Sequence, residues 1–215
     1  MTGRISGREF LASAGVADWR VVFGGQWACS FFRTDSFADG VALVDAIGAL
    51  AAAASHDPDI DLRPEGVTVR LFSHEVDGLS SRDVELARQI SDAARKLGLA
   101  ADPAAVQHVQ VAIDALVGAD VLPFWCAVLG YEEVGDADAL DPVRRGPSFW
   151  FQRMGAPRPG RNRFHIDVYL PHDQVEARIA AALAAGGHIV SDDHAPDWWT
   201  LADSEGNEVD LAIWM

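Results

Sequence analysis

Imidazole exchanges protons near neutral pH and is a common transition-metal ligand, so the seven histidines of this 215-residue chain are the natural place to look for chemistry. Four of them stand at suggestive positions. His74 lies in "RLFSHEVDGLSSRDVELARQI", residues 70–90, between an alternating, strand-like run and a capped helix. His56 opens His56-Asp57-Pro58 at the end of an alanine-rich stretch, eighteen residues earlier. His108 heads "HVQVAIDALV", and His165 heads the similar "HIDVYLPHDQV", 57 residues further on. His172, His188 and His194 read as loop and surface residues. Taken alone, His74 is an ordinary histidine at a strand end. His56 alone would close its helix, with an imidazolium favoured beside the C-terminal carbonyls.

The elements that must hold these residues fall into two regions. In the first, a short helix spans residues 7–14, and "WRVVF" and "QWACSFF" follow as strands joined by a Gly24-Gly25 hairpin. Next comes a long helix with Ser36 as N-cap and Asp39 three residues later. "VTVRLFSH" alternates as a strand does, and Ser80 with Asp83 forms a capping box for a last helix reaching about Leu97. The order α-β-β-α-β-α predicts an α+β domain over residues 1–100, its helices on one face of an antiparallel sheet. Gly98, small residues and Pro103 mark a linker over residues 100–105.

The second region, residues 105–215, is an internal repeat. Each histidine-headed strand leads into a helix, "ADVLPFWCAVLG" or "DQVEARIAAALAAGG", which ends in glycine before a strand, "YEEVG" or "HIVSD". Each half closes on an aromatic-rich strand, "SFWFQRM" or "EVDLAIW". Two βαβββ units fit this pattern, since one alone could not bury its sheet face.

Composition excludes several classes of partner. A hydrophobic fraction of 49% can fill cores, and 23% charged residues is ordinary for a globular protein. A formal charge of −15 argues against nucleic acid and against an anionic membrane surface. Cys29 and Cys126 have no metal or redox spacing and are expected to be buried thiols in a reducing cytosol. The first ten residues lack the apolar core of a signal peptide, and the near-apolar run at 41–54, interrupted by Asp45, is too short to span a bilayer. These features predict a cytoplasmic protein.

The tandem pattern, with "PFWCAVLGY" after the first strand and "WWTLADSEGNEVDL" before the last, resembles the glyoxalase-like domains of the vicinal-oxygen-chelate superfamily from about Val106 onward. That resemblance implies a cupped sheet and a divalent metal held by one residue from the first and last strand of each unit. By position these are His108, Gln152, His165 and Asp210, with Glu208 as an alternative of the same strand parity. Such a set suits zinc, nickel, iron or manganese. Many such domains instead bind an organic small molecule without metal, and both outcomes stay open.

The first region, residues 7–98, resembles the pterin-4a-carbinolamine dehydratases, also called 4a-hydroxytetrahydrobiopterin dehydratases. The residues that carry this are His56-Asp57-Pro58, Ser73-His74, Gly78-Leu79-Ser80, Asp83 and Leu86-Ala87. The resemblance implies a cofactor-free hydro-lyase acting on a small pterin, and a homo-oligomer. It makes His56, Asp57 and His74 catalytic and brings Pro58, Ser73 and Asp83 against the substrate. Asp57 stands where the family has a second histidine or an asparagine. The aromatic residue expected further on is missing from "DIDLRPEG", and Ala52 replaces a charged residue. Three readings follow: a dehydratase, a pterin-binding or dimerisation module without turnover, and a metal-dependent lyase, isomerase or dioxygenase centred on the second region.

Overall fold

The computed structural model describes residues 3–157, 165–170 and 172–213. The chain divides into two compact units, Met1–His108 and Val109–Met215.

The first unit runs β1 (Arg4–Ile5), α1 (Gly7–Ala12), β2 (Arg20–Val22), β3 (Trp27–Arg33), α2 (Phe37–Ala54), β4 (Asp59–Arg63), β5 (Gly66–Leu71), β6 (Leu79–Ser80) and α3 (Ser81–Lys96). The sheet, ordered β2-β3-β5-β4, is antiparallel throughout, and β1 pairs separately with β6. Alternation along β5 buries Val67, Val69 and Leu71 against Leu43 and Ile47 of α2 and Leu86, Ala87 and Ile90 of α3. α2 is long and apolar enough to cross a membrane by length and composition. Its buried positions, Gly40, Leu43, Ile47 and Ala51, recur at helical spacing and lie against the sheet.

Two features go beyond the expected order. "DIDLR" is a strand, β4, whose Ile60 and Leu62 pack on the core while Asp59 and Arg63 are exposed. The β2–β3 connection is four residues, with Val22 opposite Trp27, rather than a two-residue glycine turn. After α3 the chain returns along β3, where Ala101 bridges Phe32.

The second unit contains two βαβββ modules. The first is β7 (Gln110–Ala115), α4 (Gly118–Leu129), β8 (Glu132–Val134), β9 (Asp138–Leu140) and β10 (Ser148–Arg153). The second is β11 (Ile166–Tyr169), α5 (Val175–Ala184), β12 (His188–Ser191), β13 (Trp198–Ala202) and β14 (Glu208–Ala212). Their sheets share one order, β7-β10-β9-β8 and β11-β14-β13-β12, with the first and last strands of each module paired in parallel. One core joins the modules, including Trp125, Phe149, Phe151, Leu201 and Leu211.

Each end of α4 is completed by the other module. Glu205, in the β13–β14 turn, accepts the Leu116 N–H at 2.6 Å and the Val117 N–H at 2.9 Å, placing a carboxylate at the helix N-terminus. Arg178 of α5 donates to the Val128 carbonyl at 3.0 Å, a cation at the C-terminus. Gly130, at φ +71°, ends the helix, and a Cβ there would stand 2.6 Å from the Arg178 guanidinium. The buried Asp203 carboxylate accepts the Trp125 indole N–H at 3.0 Å and fixes the turn through the Glu205 and Asn207 backbone N–H groups.

Candidate functional site

The end of α2 delivers the first histidine. Ser55 adopts the left-handed conformation (φ 48°, ψ 44°), and the His56 N–H reaches back to the Ala51 carbonyl at 3.1 Å. This closure turns the chain so that His56 enters the protein, where it is only 6% exposed. Its Nε2 lies 2.8 Å from Asp83 Oδ1. Asp83, on the first turn of α3, is wholly buried, and its Oδ2 accepts the Ser80 N–H at 2.7 Å and the Ser73 hydroxyl at 2.6 Å. The Ser73 and Ser80 hydroxyls are 2.8 Å apart. The capping box read from the sequence is therefore present, and the same carboxylate also anchors an imidazole 27 residues away.

The second histidine follows directly from this cluster. Ser73 and Gly78 bridge, and the short 3-10 turn His74–Val76 lies between them. His74 is exposed, its ring edge-on to Phe72 at 4.9 Å. A Cβ at Gly78 would meet the Arg4 guanidinium at 2.7 Å, a contact that a shift of that flexible side chain can relieve. Arg82 joins the two histidine segments. Its guanidinium donates to Glu75 Oε1 at 2.5 Å and to the carbonyls of Ala54 and Ser55. Glu75's carboxyl is held below its ordinary range by its own backbone N–H, with Arg82 contributing.

Of the expected first-region residues, His56, Ser73 and Asp83 thus form one hydrogen-bonded cluster. His74 adjoins Ser73, Asp57 is exposed beside His56, and Pro58 is partly buried. Ser80 and Arg82 belong to the same assembly as contact residues. "GLSSRD" carried their signal, although its spacing was read as helix capping.

Asp83, which also accepts from Ser73 and Ser80, fixes the His56 ring through Nε2. His74, in contrast, presents an imidazole to solvent. One imidazole held by a carboxylate and one presented to solvent are groups able to exchange protons near neutral pH.

In the second unit, His165, Asp167 and Asp210 are, among the described residues, an imidazole–carboxylate group whose ligand atoms all lie within 4.8 Å of one another. His165 Nε2 is 3.2 Å from Asp167 Oδ1 and 3.6 Å from Asp210 Oδ2. Asp167 was not expected, although alternation through "HIDVY" places it on the same face as His165. The two-imidazole set implied by the resemblance is not what this group contains. His108 precedes β7 and belongs to the first unit, its ring edge-on to Phe23 at 5.1 Å and Trp27 at 4.9 Å. Gln152 sits on β10 opposite Asp114. Asp114 opposite Gln152 corresponds to Asp167 opposite Asp210, so the first strands of the two modules match at an offset of 53 residues, not 57. Ala112 therefore occupies the position equivalent to His165. Asp210 Oδ1 also accepts the Thr200 hydroxyl at 2.6 Å, and Glu208 lines a nearby cavity.

That cavity, about 480 Å³, has apolar walls from Ile113, Leu116, Trp125 and Met154. Asp114, His165 and Glu208 supply polar groups. Its volume suits a small organic molecule.

Comparison with known proteins divides the chain in the same way. Residues 6–93 match the family described as Pterin 4 alpha carbinolamine dehydratase, and residues 110–212 match the family described as Glyoxalase-like domain. A protein of Nocardia farcinica, provisionally named a pterin-4-alpha-carbinolamine dehydratase, is 38% identical over 97 residues, covering 44% of this chain and 100% of that relative. Among solved structures, a transcriptional coactivator/pterin dehydratase from Brucella melitensis aligns with 42% of this chain and 98% of its own, at 21% identity and a TM-score of 0.39. A glyoxalase/bleomycin resistance protein/dioxygenase family enzyme from Burkholderia phytofirmans aligns with 49% of this chain and 97% of its own, at 17% identity and a TM-score of 0.40.

Proposed function

Because the chain belongs to the pterin-4a-carbinolamine dehydratase family through its first unit, we propose that this unit is a hydro-lyase that removes water from a 4a-hydroxytetrahydropterin. The observation that carries the reading is the buried His56–Asp83 pair, built together with Ser73 immediately before His74. In the reaction the bond from carbon 4a to its hydroxyl breaks, the hydroxyl takes a proton and leaves as water, and a ring nitrogen gives up a proton as the C=N bond forms. His74, the accessible imidazole, donates to the leaving hydroxyl. Asp57 stands where the second histidine of the family would be and accepts from the ring N–H. His56, held by Asp83, fixes the binding edge of the site, with Pro58 and Ser73 beside it. No cofactor enters these steps.

The test is dehydration of a chemically generated carbinolamine by the purified protein. His74→Ala should lower kcat/KM by about 10²-fold or more with little change in thermal midpoint, the usual scale for a positioned acid or base. Equal rates in wild type and variant would remove His74 from the mechanism. Pterin binding without turnover would leave a binding module. A homo-oligomer and a cytoplasmic setting belong to the same reading. The exposed Phe37 and Val41 on α2 offer a face for the former, and sedimentation velocity checks it.

For the second unit the reading is an organic-ligand pocket, supported by the cavity beside His165 and by the Thr200–Asp210 hydrogen bond, which already engages one carboxylate. A divalent ion on His165, Asp167 and Asp210 would supply Lewis acidity there. Elemental analysis of protein purified without chelator or a nickel column separates the two. A stoichiometric metal that His165→Ala abolishes would overturn the organic-ligand reading.

A further inference from the structure

Two consecutive residues on the first turn of α3 hold both histidine segments, and only one of them touches an imidazole. Asp83 binds the His56 ring and the Ser73 hydroxyl. Arg82, one position earlier, reaches around the outside. One terminal nitrogen of its guanidinium donates to the carbonyls of Ala54 and Ser55, the last of which directly precedes His56. The other terminal nitrogen donates to Glu75, which directly follows His74. We propose that Arg82 is a positioning residue, whose guanidinium clamps the two chain segments that flank His56 and His74 and so sets the geometry between the imidazoles.

The inference rests on the dehydratase reading of this site, and three physical points support it. The carbonyls at the end of α2 lack intrahelical partners and sit at the negative pole of the helix, so a cation there is favoured. Ser55 and Asp77 both hold left-handed backbone conformations, at φ 48° and 46°, which non-glycine residues keep only where surrounding contacts enforce them. Each lies in one of the two clamped segments. Finally, only a planar fork with separate N–H groups can serve a carboxylate and two carbonyls at once, which a lysine ammonium on a single stem cannot reproduce. Asp83 alone fixes a ring and a serine hydroxyl; Arg82 fixes the backbone that carries the rings.

The experiment compares Arg82→Ala, Arg82→Lys, Glu75→Gln and His74→Ala in the full chain, with turnover and amide hydrogen exchange as separate readouts. Arg82→Ala should lower kcat about tenfold or more while KM stays within about twofold, since misplacement penalises the reacting geometry more than binding. Arg82→Lys should recover most of the thermal midpoint but less than half of kcat, and Glu75→Gln should fall between wild type and Arg82→Ala. Exchange in residues 54–57 and 73–77 should accelerate together in both Arg82 variants. If His74→Ala abolishes turnover while Arg82→Ala keeps the wild-type kcat, the clamp is wrong and the dehydratase reading stands. If the wild type does not turn over the carbinolamine, the dehydratase reading falls, and exchange alone decides the clamp: loosening of one segment or neither overturns it. Should Arg82→Ala fail to fold, Arg82→Lys and Glu75→Gln carry the same comparisons.

Discussion

At the scale of single residues, the first unit's chemistry depends on what stands beside each imidazole. Asp57 is the informative substitution, because a carboxylate accepts a proton readily but is a weak donor near neutrality. If this departure limits the enzyme, Asp57→His should raise the dehydration rate and bring the pH optimum towards neutrality, as measured by stopped-flow absorbance. An unchanged rate would point to the missing aromatic residue instead. His108 gives a prediction of a different kind. Burial, and then Arg70, hold its pKa below the ordinary 6.5, so the native form is neutral. The unfolded chain binds the proton more readily, so the stability from this group is complete above 6.5 and is lost as pH falls from there to the lower folded value. His108→Phe should lessen the fall of the thermal midpoint as pH drops below 6.5, relative to wild type. None of this aromatic packing was legible in the sequence. The histidine heads a string similar to the one at His165, and the similarity suggested a shared role.

Among elements, legibility followed periodicity and capping. Ser36 with Asp39, and Ser80 with Asp83, mark real helix starts because a cap is a local hydrogen-bond arrangement. The paired βαβββ order was equally readable, since glycine ends and alternating strands are local too. β4 was missed because two aspartates and an arginine in "DIDLR" weigh against a strand, although Ile60 and Leu62 alternate as an edge strand requires. The His56–Asp83 contact spans 27 residues and has no sequence signature beyond the residue types. The repeat offset failed for a related reason: resemblance between strings does not fix strand register, which pairing across the sheet decides. Register also identifies Asp167, which alternation alone would have placed beside His165. The capping of α4 from the other module offers a test at this scale. Glu205→Ala leaves the Leu116 and Val117 N–H groups, just ahead of α4, without their carboxylate partner and should cost about 1–3 kcal/mol, the range for hydrogen bonds to a charged group. Urea denaturation followed by tryptophan fluorescence should report it, because Trp125 lies on α4.

For the whole molecule, the two thiols make the units separately observable. Cys29 lies in the first and Cys126 in the second, and burial pushes each pKa from 9.0 up to about 11. At pH 8 the thiolate fraction is then about 100-fold below that of an unfolded thiol, so native alkylation should be slower by at least this factor. We propose that the units unfold as separate domains. Iodoacetamide labelling in rising urea, read by mass spectrometry of each cysteine peptide, should then give two distinct midpoints. A single shared midpoint would show one cooperative block. The crossed capping of α4 also bears on the order of events during synthesis. The first unit has every strand and helix of its core once α3 has emerged. The second unit waits longer, because α4, complete in sequence by Leu129, receives its C-terminal cation only when Arg178 has been made and its N-terminal carboxylate only at Glu205. On a ribosome, α4 must therefore persist uncapped, with the aromatic side chains of its buried face still open, while some 75 further residues are translated. An apolar face left uncovered over such an interval is the condition under which partly folded chains aggregate.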